Sequence, residues 1–195
     1  LLGEAGSAQV AARAREILDG ALPGLELDAD MRWRALTALA RLDAVSANEL
    51  EAQRKADPTA SGITHHLQAS TSMPHQDLKA EVFERLLSDT SVSNDHIDAL
   101  IAGFAVDAHR ELTAPFTARY LHELQGMWSG RGQEIATRLV VGLFPACGDE
   151  ADVQAVEDWL ATHPEAPSAL RRLVLKSLDD LRRALTARRT GSEDL

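Results

Sequence analysis

The stretch Ile97-Asp98-Ala99-Leu100-Ile101-Ala102-Gly103-Phe104 decides the fold. Its large apolar residues fall at i, i+3, i+4 and i+7, a spacing that gathers them on one side of a helix. A strand, with its period of two, would scatter them over both faces. Related stripes lie on either side: Trp33, Leu36 and Leu39; Leu78, Val82 and Leu86; Phe116, Tyr120, Leu124 and Trp128. The last long segment carries Leu170, Leu173, Val174, Leu178, Leu181 and Leu185. Nothing between them alternates for long enough to form a strand, so the chain reads as all-α.

Start and stop signals divide it into about ten helices. The first runs from Ala8 to Asp19 and is ended by Gly20, Pro23 and Gly24. Asp28 or Asp30 caps a second, to Leu42, and Ser46 with Glu49 forms a capping box for a third, to Ala56. Asp57-Pro58 reads as a cap followed by proline at the first position of a fourth helix. Pro74 opens a fifth to Leu87, and Ser93 or Asn94 caps a sixth through Ala108. Glu111 to Trp128 reads as a seventh, and because Pro115 is tolerable only in a first turn its start falls nearer Thr113. Gln133 to Phe144, a segment from Asp149 or Asp152 through Leu160, and Ser168 to Arg189 complete the set. Short connections make successive helices antiparallel, and pairs recur about every 35–45 residues. The expectation is one domain over residues 1–189, a superhelix of antiparallel helix pairs of the HEAT or armadillo kind, with a flexible tail over 190–195.

Composition agrees. Hydrophobic residues make up 45% and aromatics only 4%, so the core is built from Leu, Val, Ile and Ala, which suits close helix packing. The net charge of −10 argues against nucleic acid and against an anionic membrane as partners. No apolar run approaches the roughly 20 residues of a membrane span. Cys147 is alone, which rules out an internal disulfide and a multi-cysteine metal site and suits a reducing cytoplasm. The first residue is Leu1 rather than methionine, and the chain reads as a piece of a longer one. Such a cut would bare an apolar edge near Val10, Ile17 and Trp33, a route to weak self-association.

Candidates for chemistry are few. His122-Glu123 starts a zinc-peptidase His-Glu-x-x-His pattern, but Gly126 stands where the second histidine belongs. His65 and His66 are neighbours about 100° apart on a helix, so they do not converge on one ion. These two, with His75, His96, His109 and His163, read as solvated or capping histidines. Cys147 reads as a passive thiol, because nothing in the sequence places a base beside it. No glycine-rich phosphate loop and no nucleophile elbow is present. The last helix carries Arg171, Arg172, Lys176, Arg182, Arg183, Arg188 and Arg189, mostly a solvated basic face. Arg171 and Arg172 stand apart, since they lie in the first turn, where the helix dipole disfavours cations. They are the candidate peptide-binding residues, through a guanidinium on a carboxylate. No catalytic or metal-ligating residue is assigned.

Several segments, taken in order, resemble the C-terminal helical domain of the aminopeptidase N family of zinc exopeptidases. They are Met31-Arg32-Trp33-Arg34-Ala35-Leu36, Asp57-Pro58-Thr59-Ala60-Ser61-Gly62, Lys79 through Phe83, Gly103-Phe104, and Glu111-Leu112 with Pro115-Phe116 and Tyr120. Val140-Val141-Gly142-Leu143-Phe144-Pro145, Trp159-Leu160 and Leu170-Arg171-Arg172 follow. The resemblance covers nearly the whole chain but only the final portion of such an enzyme. It implies a HEAT-like domain that packs on the catalytic domain of the same polypeptide and roofs a chamber open to peptides. It further implies that zinc and peptide hydrolysis belong to that catalytic domain. Two other readings compete: a free-standing HEAT-like scaffold for protein partners, and a helical transcription regulator. The regulator needs a basic N-terminal recognition helix, which the acidic first fifty residues do not offer.

Overall fold

The computed structural model describes residues 2–20, 24 and 26–193. Among them lie eleven α-helical segments and no strand: α1 (Leu2–Leu18), α2 (Ala29–Arg41), α3 (Ala47–Ala56), α4 (Ala60–Thr71), α5 (Gln76–Ser88), α6 (Asn94–Phe104), α7 (Arg110–Thr113), α8 (Thr117–Gly130), α9 (Gln133–Gly142), α10 (Glu150–Thr162) and α11 (Ser168–Glu193). Pro23, Asp194 and Leu195 lie outside the described residues, so the expected stop at Pro23 and the end of the expected tail fall outside them too.

Local chemistry sets most boundaries. The Asp28 carboxylate accepts from the Met31 amide and Ser93 from His96. Ser46 with Glu49 and Asp149 with Asp152 form complete capping boxes. α1 begins at Leu2 rather than Ala8, and α11 runs past Arg189 to Glu193, into the span expected as a tail. Three further boundaries depart from the sequence reading for local reasons. The cap of α4 is Thr59, whose hydroxyl accepts from Gly62, while the Asp57 carboxylate accepts from the Trp33 indole instead. The helix expected to reach Ala108 stops at Phe104, because Ala105 leaves helical backbone geometry at ψ 53°, and a short 3-10 turn follows at Asp107–His109. Pro115 splits the seventh expected helix: α7, a 3-10 turn over Ala114–Phe116, then α8.

The helices stack as hairpins. α2, α4, α6, α9 and α11 touch in succession as one layer, and α1, α3, α5, α8 and α10 each pair with one of them. Within the first layer neighbours run parallel. Asn94 bonds Glu134 and Asp98 bonds Arg138, both across the same offset of 40 residues, so α6 and α9 march side by side. Thr71 and Gly103, at the ends of α4 and α6, meet so closely that a Cβ on Gly103 would fall 2.0 Å from the Thr71 hydroxyl. Within a hairpin the sense reverses: along α10 and α11, Glu150 faces Arg189 while Glu157 faces Arg182. Each hairpin buries its apolar faces against its neighbours, the arrangement of an α-solenoid.

The core is divided. Trp33, Leu36, Leu39 and Leu50 anchor a cluster within α1–α4, and a larger one runs from Val82 and Phe83 to Leu178 and Leu181. Between them lies a buried polar seam of Thr71, Ser72, Lys79 and His109. Trp33, expected at an exposed edge, is fully buried; its indole packs against His65 and His66. Val10 is half exposed, at 51%.

Candidate functional site

The residues singled out in the sequence are spread over the stack. His65 pairs with Asp30 at 3.5 Å and His66 with Glu51 at 3.7 Å, so the two neighbours serve different helices. Burial lowers the His66 pKa, opposed by the Glu51 carboxylate. His75 meets Asp43 at 3.1 Å, and His163 stacks on Trp159. His122 is exposed beside Glu123. No group of three His, Cys, Asp or Glu side chains converges among the described residues closely enough to hold a metal ion.

Arg171 and Arg172 part company. The Arg171 guanidinium donates to the carbonyls of Leu160 and His163, at 2.7 and 2.6 Å, which close α10. That explains a cation in the first turn of α11: it answers the negative end of the preceding helix rather than its own dipole. Arg172 is exposed and makes no ion pair or hydrogen bond among the described residues. Most of the remaining basic face is engaged, Arg182 with Glu157 and Asp179, Arg183 with Asp180, and Arg189 with Glu150.

Two features escaped the sequence reading. The first is the set of cations that close helix ends. Lys79, at the start of α5, is fully buried and donates to the Thr71 and Gly103 carbonyls, tying the ends of α4 and α6. Burial, with the nearby Arg41 guanidinium, lowers its pKa to about 8. His109 bonds the Arg41 carbonyl at the end of α2 through Nε2, and burial depresses its pKa. Arg131 does the same for α5, donating to Leu86, Leu87 and Asp89 carbonyls. The signal for Lys79 was present: it occupies the first position of the stripe Lys79, Val82, Phe83, Leu86, where a lysine has no business unless its ammonium finds acceptors.

The second is a pair of hollows at that same edge. One, of about 60 Å³, lies between Phe104, Phe116 and Phe144, with Cys147 and Arg110 at its wall. The other, of about 440 Å³, lies between Val10, Leu42 and Ala108. The Cys147 thiol is pushed up in pKa by burial and by the Asp107 carboxylate, which makes it a poor nucleophile. A separate polar groove of about 770 Å³ runs between α4 and α6, lined by Ser61, His65, Asp95 and Asp98 among others. These surfaces can bind; none assembles a nucleophile with a base and an oriented partner.

No helix among the described residues is long and apolar enough to cross a membrane. Aminopeptidase N of Streptomyces lividans is 36% identical over 174 residues, which is 88% of this chain and 20% of that protein. The chain therefore spans about a fifth of the length of this relative. The model of the ERAP1-like C-terminal domain family matches residues 1–183. With hairpins stacked over that whole span, the chain belongs to the ERAP1-like C-terminal domain family.

Proposed function

We propose that this chain is the non-catalytic C-terminal domain of a zinc-dependent aminopeptidase N, a HEAT-like wall of residues 1–189 that packs on the catalytic domain of the same polypeptide and shapes its peptide chamber. The observation that carries this reading is the match of nearly the whole stack to one family and to a fifth of an aminopeptidase N. Parallel helices held at fixed offsets make a stiff, curved surface, which admits peptides and turns away folded proteins. Zinc and bond cleavage reside in the catalytic domain, and the whole acts in the cytoplasm. Arg172, with Arg171 behind it, takes the carboxylate of a peptide substrate through its guanidinium.

The test compares this chain with the enzyme encoded by the full reading frame. The full enzyme is expected to hold zinc and to hydrolyse both aminoacyl-anilides and short peptides, while this chain does neither. Arg172→Met in the full enzyme raises KM for peptides with a free carboxylate and leaves anilide hydrolysis unchanged. One tightly bound zinc in this chain, together with anilide hydrolysis by it, refutes the reading. So does an initiator methionine immediately before Leu1, which would make the chain a free-standing scaffold.

A further inference from the structure

We propose that the groove between α4 and α6 lies on the concave side of the stack and takes a lysine or arginine side chain of a peptide, with Asp95 as its acceptor. This rests on the reading above and adds to it which layer faces the chamber and which side chains that layer prefers.

Neighbours in the two layers meet through different kinds of residue. In the layer of α2, α4, α6, α9 and α11, glycine brings them together. A Cβ on Gly103 of α6 would fall 2.0 Å from the Thr71 hydroxyl of α4, and one on Gly142 of α9 would fall 2.5 Å from Ile101 of α6. In the other layer long charged side chains span the gaps, Arg15 of α1 with Glu49 of α3 and Arg119 of α8 with Glu84 of α5. Helices joined at glycine stand closer than helices bridged by arginine, so each hairpin is a wedge, thin in the first layer. A stack of such wedges bends toward its thin side. The first layer is therefore the inner one, and its open face is concave.

The groove of about 770 Å³ belongs to that face: all its lining comes from α4, α6 and the cap of α6, and none from α3 or α5 behind them. Ser61, Thr64 and Gln68 stand on one wall, Asp95 and Asp98 on the other, and no lysine or arginine lines it. Asp95 is exposed and makes no ion pair or hydrogen bond among the described residues. Of the two imidazoles in the lining, His65 and His96, the first is turned to Asp30. Arg138, reaching in from α9, is shared by Asp98 and Glu134. Asp30, Asp95, Asp98 and Glu134 thus stand against one arginine, and the excess of negative charge comes from several residues on three helices. Neutral hydroxyls and the Gln68 amide offer acceptors for the remaining N–H groups of an ammonium or guanidinium. A peptide cation gains a charge-assisted bond here, and a peptide carboxylate is repelled.

The test uses the full enzyme and pairs of peptides that differ only in one interior residue, lysine or glutamine, stepped along the sequence. At the position that reaches the groove, the lysine peptide is expected to show a KM about fivefold lower, a gain that shrinks in high salt. Asp95→Asn removes the gain, and so does Ala102→Lys, which sets a cation in the groove. Anilide hydrolysis is unchanged in both, which shows that both variants are folded. Glu81→Gln, exposed on α5 in the outer layer, keeps the gain. Equal KM for lysine and glutamine at every position overturns the proposal. So does a gain that survives both groove variants, or one that Glu81→Gln abolishes. If the KM values are equal while Arg172→Met still raises KM for peptides with a free carboxylate, the groove assignment is wrong and the chamber reading stands.

Discussion

Gly103 lies where α4 and α6 touch, and no larger residue fits there. A Cβ would come within 2.8 Å of the Thr71 Cβ as well as 2.0 Å of its hydroxyl, so Gly103→Ala forces the two helices apart. The expected loss is about 1–3 kcal/mol, read as a drop in denaturation midpoint, and Thr71→Ala recovers only part of it. Lys79 sits beside this contact and makes stability depend on pH. Its pKa falls from 10.5 to about 8 on folding, so between those values the unfolded chain binds more protons. Stability therefore rises with pH across that window, by an amount on the order of 3 kcal/mol, and is missing below it. Denaturant titrations at successive pH values check this, and Lys79→Met removes the slope. Tyr120, whose hydroxyl donates to the Val140 carbonyl, is held neutral by burial and does not share this window.

Helix starts were legible because a cap is a matter of three or four consecutive residues; Ser46 with Glu49 and Asp149 with Asp152 are bonded as their spacing predicts. Helix ends were less so. The termini of α2, α4, α5, α6 and α10 are closed by His109, Lys79, Arg131 and Arg171, side chains from other elements that no local pattern announces. The two hollows were invisible for the same reason, since their walls run from Val10 to Cys147 and come from segments more than a hundred residues apart. One tether of this kind holds α1 in place. Arg15 donates to the Ala44 carbonyl and bonds Glu49, whose pKa is lowered to about 2, first by Arg15 and then by the Ser46 amide. A carboxyl depressed on folding lends stability above pH 4.5 and loses it as pH falls toward about 2. Amide exchange in α1 is thus expected to quicken over that interval before exchange elsewhere does. Glu49→Gln should show fast exchange in α1 already at neutral pH.

At the scale of the molecule, the divided core sets cooperativity. The cluster within α1–α4 is smaller than the one spanning α5–α11, and a polar seam couples them more loosely than apolar packing would. Trp33 belongs to the first cluster and Trp159 to the second. Variants that keep only one tryptophan are expected to unfold at different urea concentrations, Trp33 reporting the earlier transition. Coincident curves would show a single cooperative unit.

Because each hairpin rests mainly on its neighbours, most contacts form between segments close in sequence, and the chain can gain structure progressively as a ribosome releases it. The His109 bond to the Arg41 carbonyl is different, since it spans 68 residues. It can close only after α6 and the turn that follows have emerged. The first two hairpins must then wait, partly formed and with Lys79 still unsheltered, for a latch synthesised well after them.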